Sequence, residues 1–124
     1  MNIQIFAGRK CFDTQKAERY FKERKVKYQN IDLVKMGLSK GEFNAVKTAV
    51  GLKELIDCNA KEYTTLHMQN LGIGSAAEEI LFNNPKLYKT PIVRNGKKAT
   101  VGYSPEIWKD WEWNHDILHP LSFL

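Results

Sequence analysis

The first 33 residues alternate between two strand-like runs and one helical pattern, and this order constrains the fold more than any other feature. The run "NIQIFA" is short, β-branched and aromatic, and Gly8 ends it. Apolar residues then recur at helical spacing between Phe12 and Arg24, before a second strand-like run, "VKYQNIDL". Two strands joined by a helix-length crossover are expected to be parallel, with a right-handed connection.

Three candidate capping boxes mark helix starts in the middle of the chain. Each places a side-chain acceptor before a helix and a carboxylate three residues later: Ser39 with Glu42, Asn59 with Glu62, and Ser75 with Glu78. Asn-Asn-Pro at 83–85 is expected to stop the last of these helices, because the residue before a proline avoids helical backbone angles. The sequence therefore predicts an all-helical insert over approximately residues 37–84.

The segment "TPIVRNGKKATVGY" has the pattern of a β-hairpin. Its Asn95-Gly96 pair is suited to supply the positive φ values of a tight turn between two antiparallel strands. Ser104 and Pro105 follow, and a proline at the first helical position with a serine before it predicts the start of a final helix.

The order of elements is therefore βα-β, helical insert, ββ-α. We expect one domain over residues 1–124, because a chain of this length has room for a single core. The predicted fold class is α/β, with a thioredoxin-like mixed four-stranded sheet, flanking helices and the all-helical insert.

Composition narrows the classes of function. The net charge is +5, but the cations are spread along the chain, and the densest patch, "KERKVK" at 22–27, has no adjacent aromatic set for base stacking. We expect no direct nucleic-acid binding. No apolar run approaches the length of a membrane span, and "MNIQIFAGRK" is too short and too polar for a signal sequence, so a cytoplasmic location without membrane binding is expected.

Cys11 directly follows the first predicted strand and opens the first predicted helix. At that position the unpaired backbone N–H groups and the helix dipole favour the thiolate, and the neighbouring Arg9 and Lys10 act in the same direction. The sequence predicts a nucleophilic thiol. The alternative is a small buried cysteine that fills space behind a strand.

Several stretches of the chain resemble the arsenate reductase-like family, also called the ArsC/Spx family. They are "IQIFAGRKCFDTQKAERYFKERKVKYQNIDL", "SKGEF" and "NPKLYKTPIVRNGKKATVGYSPE". The resemblance implies a thioredoxin-like core, a redox-active cysteine at Cys11 and a cis peptide bond before Pro91. It also implies that the backbone at Thr90 and Pro91 binds an extended thiol substrate.

The chain departs from both branches of this family. Arsenate reductases of the family hold the oxyanion with three arginines, and the matching positions here are Asp57, Thr90 and Tyr103. This predicts little or no arsenate reductase activity. The Spx-like branch carries a Cys-x-x-Cys pair, but "CFDT" places Thr14 at the second cysteine position. A transcriptional regulator that binds RNA polymerase, without that dithiol switch, is the alternative function.

The favoured function is a single-cysteine thiol oxidoreductase in which glutathione or thioredoxin resolves Cys11. Arg9 and Lys10 are expected to stabilise the thiolate, and Thr14 to donate a hydrogen bond to it. Cys58 is a possible resolving cysteine, although a helix-start residue without a redox role is the favoured interpretation. No bound cofactor is expected.

Two further expectations concern metals and oligomeric state. The three histidines, His67 in a predicted helix and His115 and His119 near the C-terminus, have no partners at metal-ligand spacing, so we expect no metal site. The aromatic and aliphatic tail, approximately 113–124, is expected to dock on the core of a monomer, with a dimer contact as the alternative.

Overall fold

The structure is a computed structural model that describes residues 2–8 and 11–116, with the side chains described up to residue 111. Four strands are present in this part of the chain: β1 Ile3–Ala7, β2 Tyr28–Asp32, β3 Ile92–Asn95 and β4 Lys98–Val101. The α-helices are α1 Phe12–Glu23, α2 Leu33–Met36, α3 Lys40–Val50, α4 Leu52–Leu55, α5 Lys61–Thr65, α6 Ser75–Asn83 and α7 Pro105–Asp116. Short 3-10 turns occupy Met68–Asn70 and Pro85–Leu87.

The strands form one mixed sheet in the order β2-β1-β3-β4. β1 runs parallel to β2, because α1 returns the chain to the end of the sheet where β1 begins. β1 runs antiparallel to β3. Phe6 of β1 lies opposite both Ile31 of β2 and Ile92 of β3, and β3 pairs with β4 as a hairpin. The predicted fold class, an α/β thioredoxin-like mixed four-stranded sheet, is confirmed.

Side chains from the two faces of the sheet enter two separate cores. Ile5 and Phe6 are adjacent in β1 and fully buried, but they point to opposite faces, as successive strand residues do. The helices between β2 and β3 cover the Phe6 face, while α1 and α7 cover the Ile5 face. The core on the Ile5 face contains Ile3, Ile5, Ala17, Tyr20, Phe21, Val93, Trp108 and Trp111.

The segment between β2 and β3 is helical, as predicted, although its helices extend from Leu33 to Leu87 rather than over 37–84. An ion pair at 2.8 Å joins Lys47 of α3 to Glu78 of α6, which ties two of its helices together. The longest described helices, α1 and α7, have 12 residues each. Among the described helices, none has the length and apolarity to cross a membrane.

One of the three predicted capping boxes is confirmed. Ser39 Oγ accepts from the Glu42 backbone N–H at 3.2 Å, and the Glu42 carboxylate accepts from the Ser39 N–H at 2.9 Å. The box at Ser75 is wrong, because Ser75 is already the first residue of α6 and Gly74 is the N-cap. The Glu78 carboxylate pairs with Lys47 instead.

The capping box predicted at Asn59 is also wrong. The N-cap of α5 is Ala60, and no side chain caps this helix. The Asn59 backbone N–H instead donates to the Asp57 carboxylate at 2.9 Å, which closes a local turn. His67, expected in a helix, adopts a left-handed conformation with φ of 56° between α5 and a 3-10 turn.

The hairpin turn differs from the predicted one by a residue. Asn95 pairs with Lys98, so Asn95 belongs to β3 and the loop consists of Gly96 and Lys97. The positive φ is therefore confined to Gly96, at 64°. Glycine is the residue that a tight turn requires at such a position.

The final helix begins at Pro105 as predicted, and the Ser104 carbonyl accepts from the N–H groups of Ile107 and Trp108, each at 3.1 Å. The helix continues to Asp116, so the first residues assigned to the tail are helical. Residues 117–124, with the predictions about docking or dimerisation of the tail, lie outside the described residues.

Candidate active site

Cys11 is the N-cap residue of α1, as predicted. Its backbone is extended, with φ of −147° and ψ of 162°, and its carbonyl accepts from the Gln15 N–H at 3.1 Å. The thiol is free and half-buried, and no side-chain cap occupies the start of the helix. The unpaired N–H groups of the first helical turn are thus available to a negative charge near the sulfur.

The Thr14 hydroxyl lies 3.0 Å from the Cys11 sulfur. Thr14 is one turn into α1, and only 7% of its surface is exposed, so its rotamer is confined by packing. In the thiol form of Cys11 either atom can donate, whereas a thiolate can only accept. Thr14 is therefore positioned to donate to a Cys11 thiolate.

Cys11 opens into a cleft of about 570 Å³, called here the thiol cleft. Three parts of the chain form it: the start of α1, the segment from α4 to the turn before α5, and the segments that flank the β3–β4 hairpin. The lining residues are Cys11, Phe12, Asp13, Glu54, Asp57, Asn59, Lys89, Thr90, Val101 and Gly102.

The charged residues that line the thiol cleft are mostly acidic. Three carboxylates, those of Asp13, Glu54 and Asp57, line the cleft, and Lys89 is the one cation among the described residues that line it. Carboxylates around a concave surface attract cations and repel anions. Arg9 and Lys10 lie outside the described residues, so their assignment as thiolate-stabilising cations stays a prediction.

Thr90 and Pro91 lie just before β3, in the segment that contributes Thr90 to the cleft. The Thr90-Pro91 peptide bond is cis, which confirms the expectation from the family resemblance. Thr90 lines the cleft, while Pro91 is buried and its carbonyl accepts from the Gly102 N–H at 2.8 Å. No described residue hydrogen-bonds to the Thr90 backbone, which leaves its N–H and C=O groups available to a ligand.

The three positions that match the arsenate-binding arginines do not converge on Cys11. Asp57 and Thr90 line the thiol cleft, but Tyr103 does not. The Tyr103 ring packs edge-on against Trp108, with 5.7 Å between the ring centroids. The Lys16 Nζ atom lies over the Tyr103 ring, 5.5 Å from its centroid.

Cys58 is exposed and is absent from the residues that line the thiol cleft, although both of its neighbours in the chain line it. Its thiol lies instead beside the Tyr63 phenol. Burial raises the pKa of Tyr63 above the usual value, and the charge and hydrogen bond of the Cys58 thiol raise it further. The structure therefore does not bring Cys58 into the site of Cys11.

A second cleft of about 420 Å³ adjoins the first and shares Asp57, Asn59 and Thr90 with it. Val34 of α2 lies on its wall beside Gly8. A Cβ atom at Gly8 would meet the Val34 side chain at 2.6 Å, so only glycine fits where α2 approaches the end of β1.

The sequence did not predict the following lining residues as parts of the site: Phe12, Asp13, Glu54, Asn59, Lys89, Val101 and Gly102. Lys89 could have been predicted, because it immediately precedes Thr90 in the "NPKLYKTP" stretch. The insert residues offered no such signal, because their approach to α1 depends on how the insert folds over the sheet.

Among the described residues, no group of three or more His, Cys, Asp or Glu side chains is arranged to hold a metal ion. His115 lies in α7, and His119 lies outside the described residues.

The mixed four-stranded sheet, the cysteine at the start of the first helix and the cis-proline before β3 place this protein in the thioredoxin-like class. The sequence model of the ArsC family matches residues 6–111. The chain therefore belongs to the ArsC family.

The proteins similar to this chain include one named as a transcriptional regulator and solved structures that share its fold. The global transcriptional regulator Spx 2 of Oceanobacillus iheyensis is 27% identical over 107 residues, which cover 83% of this chain and 78% of the relative. The solved structure of an ArsC family related protein from Bacteroides fragilis has a TM-score of 0.75 at 24% identity, covering 89% of this chain and 98% of that one. Arsenate reductase from Vibrio cholerae has a TM-score of 0.76 at 21% identity, covering 89% and 97%.

Proposed function

We propose that the protein is a single-cysteine, thiol-dependent oxidoreductase with Cys11 as its nucleophile. The observation that carries this proposal is the Cys11 sulfur at the N-terminus of α1, 3.0 Å from the Thr14 hydroxyl and open to a cleft. Helix N–H groups and a hydroxyl donor both stabilise a thiolate more than a thiol. The thiolate is the reactive form in disulfide exchange.

The reaction consists of thiol exchanges whose electrons balance. The Cys11 thiolate attacks one sulfur of a substrate disulfide, that S–S bond breaks, and the other sulfur leaves as a thiolate. A first external thiolate attacks the Cys11 sulfur of the mixed disulfide and releases the second substrate thiolate. A second external thiolate then displaces Cys11, so two external thiols become a disulfide as the substrate disulfide is reduced.

Residues around Cys11 have distinct roles in this proposal. Thr14 holds the thiolate through its hydroxyl, and Arg9 and Lys10 add positive charge beside it. Thr90, which lines the cleft just before Pro91, pairs through its backbone with the main chain of an extended substrate. The availability of those backbone groups supports this role.

The resolving thiol in this proposal is external, either glutathione or thioredoxin. Thr14 stands where a local second cysteine would be, and Cys58 does not line the thiol cleft. Both observations support resolution from outside the chain, which suits a monomer in the reducing cytoplasm.

Arsenate is a poor substrate in this proposal. The acidic residues Asp13, Glu54 and Asp57 line the thiol cleft, and an oxyanion would have to enter against their charge.

A second candidate function is a transcription-associated module that binds RNA polymerase. The similarity to a relative named as the regulator Spx 2 favours it. In that case polymerase binding persists when Cys11 is replaced by serine, whereas the oxidoreductase loses its activity.

Mass spectrometry after incubation with oxidised glutathione tests the main proposal. The wild-type chain is expected to gain one glutathione, mapped to Cys11, and to lose it on addition of reduced thiol. Cys58→Ser should behave in the same way, and Cys11→Ser should gain none at that position. A Cys11 that stays unmodified while the protein binds polymerase in a pull-down would favour the regulator.

A further inference from the structure

We propose that the disulfide reduced at Cys11 belongs to a protein chain that binds in extended form, with an apolar side chain against Phe12 and a basic side chain against the carboxylates of Asp13 and Glu54. The inference rests on the proposed function and names its substrate class. It assigns Phe12 as a specificity-determining residue.

Phe12 carries the first step. It is the residue directly after the nucleophile and lines the thiol cleft, yet 80% of its surface is exposed. A large aromatic side chain that is mostly exposed on the first turn of a helix adds little to the packing of the described core. Exposed aromatic side chains beside a cleft are typical of surfaces that bind an apolar group of a partner.

The shape of the site indicates an elongated ligand. The thiol cleft and the second cleft share Asp57, Asn59 and Thr90, so they adjoin at Thr90, and the two together are called here the groove. A tetrahedral oxyanion would occupy a small part of about 570 Å³. An extended chain can instead follow the groove and pair with the unpartnered Thr90 N–H and C=O groups, as in addition of a β-strand.

The other exposed apolar side chain on this groove is Val34, at 39% exposure on the wall of the second cleft. Apolar surface is thus available on both clefts, at Phe12 in one and at Val34 in the other. A polypeptide with side chains on either side of its cysteine has groups for both positions, whereas a small disulfide has not.

Charge selects among extended ligands. Among the described residues that line the thiol cleft, Asp13, Glu54 and Asp57 outnumber the one cation, Lys89, which favours a lysine or arginine on the ligand where it passes these carboxylates. Asp13 and Glu54 are exposed, so they are free to contact a partner. A peptide with acidic flanks is disfavoured, because its carboxylates would meet those of the cleft.

The chemical step is the first exchange described above. The Cys11 thiolate attacks the cysteine sulfur of the bound chain and forms a mixed disulfide with it, and the sulfur formerly bound to that cysteine leaves as a thiolate. External thiols then release the reduced chain and restore Cys11.

Single-turnover rates with peptide disulfides test the inference. The probes are two short peptides, each with one cysteine that is joined through a disulfide bond to a chromophoric aromatic thiol. A leucine is next to the cysteine in both peptides. The flanking residues are lysines in one peptide and glutamates in the other. Neutral dipyridyl disulfide measures the intrinsic reactivity of Cys11. Wild type should react about tenfold faster with the lysine peptide than with the glutamate peptide.

Variants separate the two contributions. Phe12→Ala should slow the reaction with the lysine peptide about fivefold, slow the reaction with dipyridyl disulfide much less, and be rescued by Phe12→Trp. Ile73→Ala, which removes a similarly exposed apolar side chain away from both clefts, should have no effect. Glu54→Gln should reduce the preference for lysine over glutamate.

The outcomes distinguish this inference from the proposal on which it rests. If Cys11 fails to react even with dipyridyl disulfide, the proposed oxidoreductase function fails. If Cys11 reacts well but treats both peptides alike, or if Phe12→Ala slows dipyridyl disulfide as much as the peptides, the assignment of the substrate class is overturned.

Discussion

The Cys11 sulfur and the Thr14 hydroxyl oxygen lie 3.0 Å apart, within one turn of the same helix. This contact joins the predicted nucleophile to the residue that occupies the second position of a Cys-x-x-Cys motif in related proteins. A hydroxyl at that position cannot form a disulfide, but it can stabilise the thiolate without being oxidised.

Replacing Thr14 by valine should reduce the reactivity of Cys11. Valine keeps the shape of the buried side chain and removes the hydroxyl donor. Because a hydrogen bond to a charged group contributes roughly 1.5–3 kcal/mol, alkylation of Cys11 by iodoacetamide near neutral pH should slow about tenfold or more. Thr14→Ser, the matched control, should stay close to wild type. Equal rates for valine and threonine would show that the contact does not support the thiolate.

Arsenate turnover should be negligible with glutathione and glutaredoxin as reductants. The described part of the site provides no arginine to the thiol cleft, and Arg94 donates to the Gln4 side chain instead. Since each charge-assisted contact contributes roughly 1.5–3 kcal/mol, the loss of three weakens oxyanion binding by orders of magnitude. A coupled assay against an arginine-complete relative measures this. Comparable turnover would contradict the prediction.

Glutathione should add to Cys11 whether or not Cys58 is present. The Cys58 thiol is beside Tyr63 and not in the thiol cleft, and a disulfide needs α-carbons within about 7 Å and side chains that point together. Peptide mapping under non-reducing conditions after mild oxidation should give the glutathione adduct in wild type and in Cys58→Ser. A dominant Cys11–Cys58 peptide pair would identify an internal resolving cysteine.

The buried hydrogen bond from Trp108 Nε1 to Thr100 Oγ1, at 2.8 Å, should contribute measurably to stability. Thr100→Val leaves the indole N–H without a partner inside the core and should lower the free energy of unfolding by about 1–3 kcal/mol. Urea denaturation of Thr100→Val, Trp108→Phe and the double variant forms a thermodynamic cycle. If the two single losses simply add, the hydrogen bond contributes nothing beyond packing.

Tyr88→Phe should stabilise the fold, most clearly at alkaline pH. The Tyr88 hydroxyl is buried without a partner among the described residues, and burial raises its pKa above the usual value near 10. Above pH 10 the unfolded chain releases this proton while the folded chain retains it, so rising pH favours unfolding. Removing the hydroxyl should add about 1 kcal/mol near neutral pH.

Denaturation of Tyr88→Phe and wild type across the alkaline range measures this effect. The advantage of the variant should grow above pH 10. A constant difference between the two proteins would show that Tyr88 titrates alike in the folded and unfolded chains.

The strands and the long helices were predictable because their signals are local. The β-branched and aromatic run "NIQIFA" predicted a buried strand, and the helical spacing after Phe12 reflects the face that α1 buries. The short insert helices were harder. Asn59 and Ser75 are each followed three residues later by a carboxylate, as in a capping box. However, the Asn59 N–H donates to the Asp57 carboxylate, and the Glu78 carboxylate, three residues after Ser75, pairs with Lys47.

The site was predictable only in part, for the same reason. Cys11 and Thr14 share one helix, so their contact follows from helical spacing. Glu54 and Asp57 reach the thiol cleft through the fold of the insert, and no pattern along the sequence encodes that approach. The orientation of Tyr103 away from the cleft likewise depends on packing against Trp108.

The two cores on opposite faces of the sheet divide the site between them. α1, which carries Cys11 and Thr14, is anchored in the core of Phe21 and Trp108, while the segment with Glu54 and Asp57 is anchored in the other. Substitutions that reshape the insert can therefore change which molecules enter without disturbing the support of the sulfur. The acidic part of recognition, at Glu54 and Asp57, can thus change separately from the reactivity of Cys11, whereas a change at Phe12 acts on the helix that carries the sulfur.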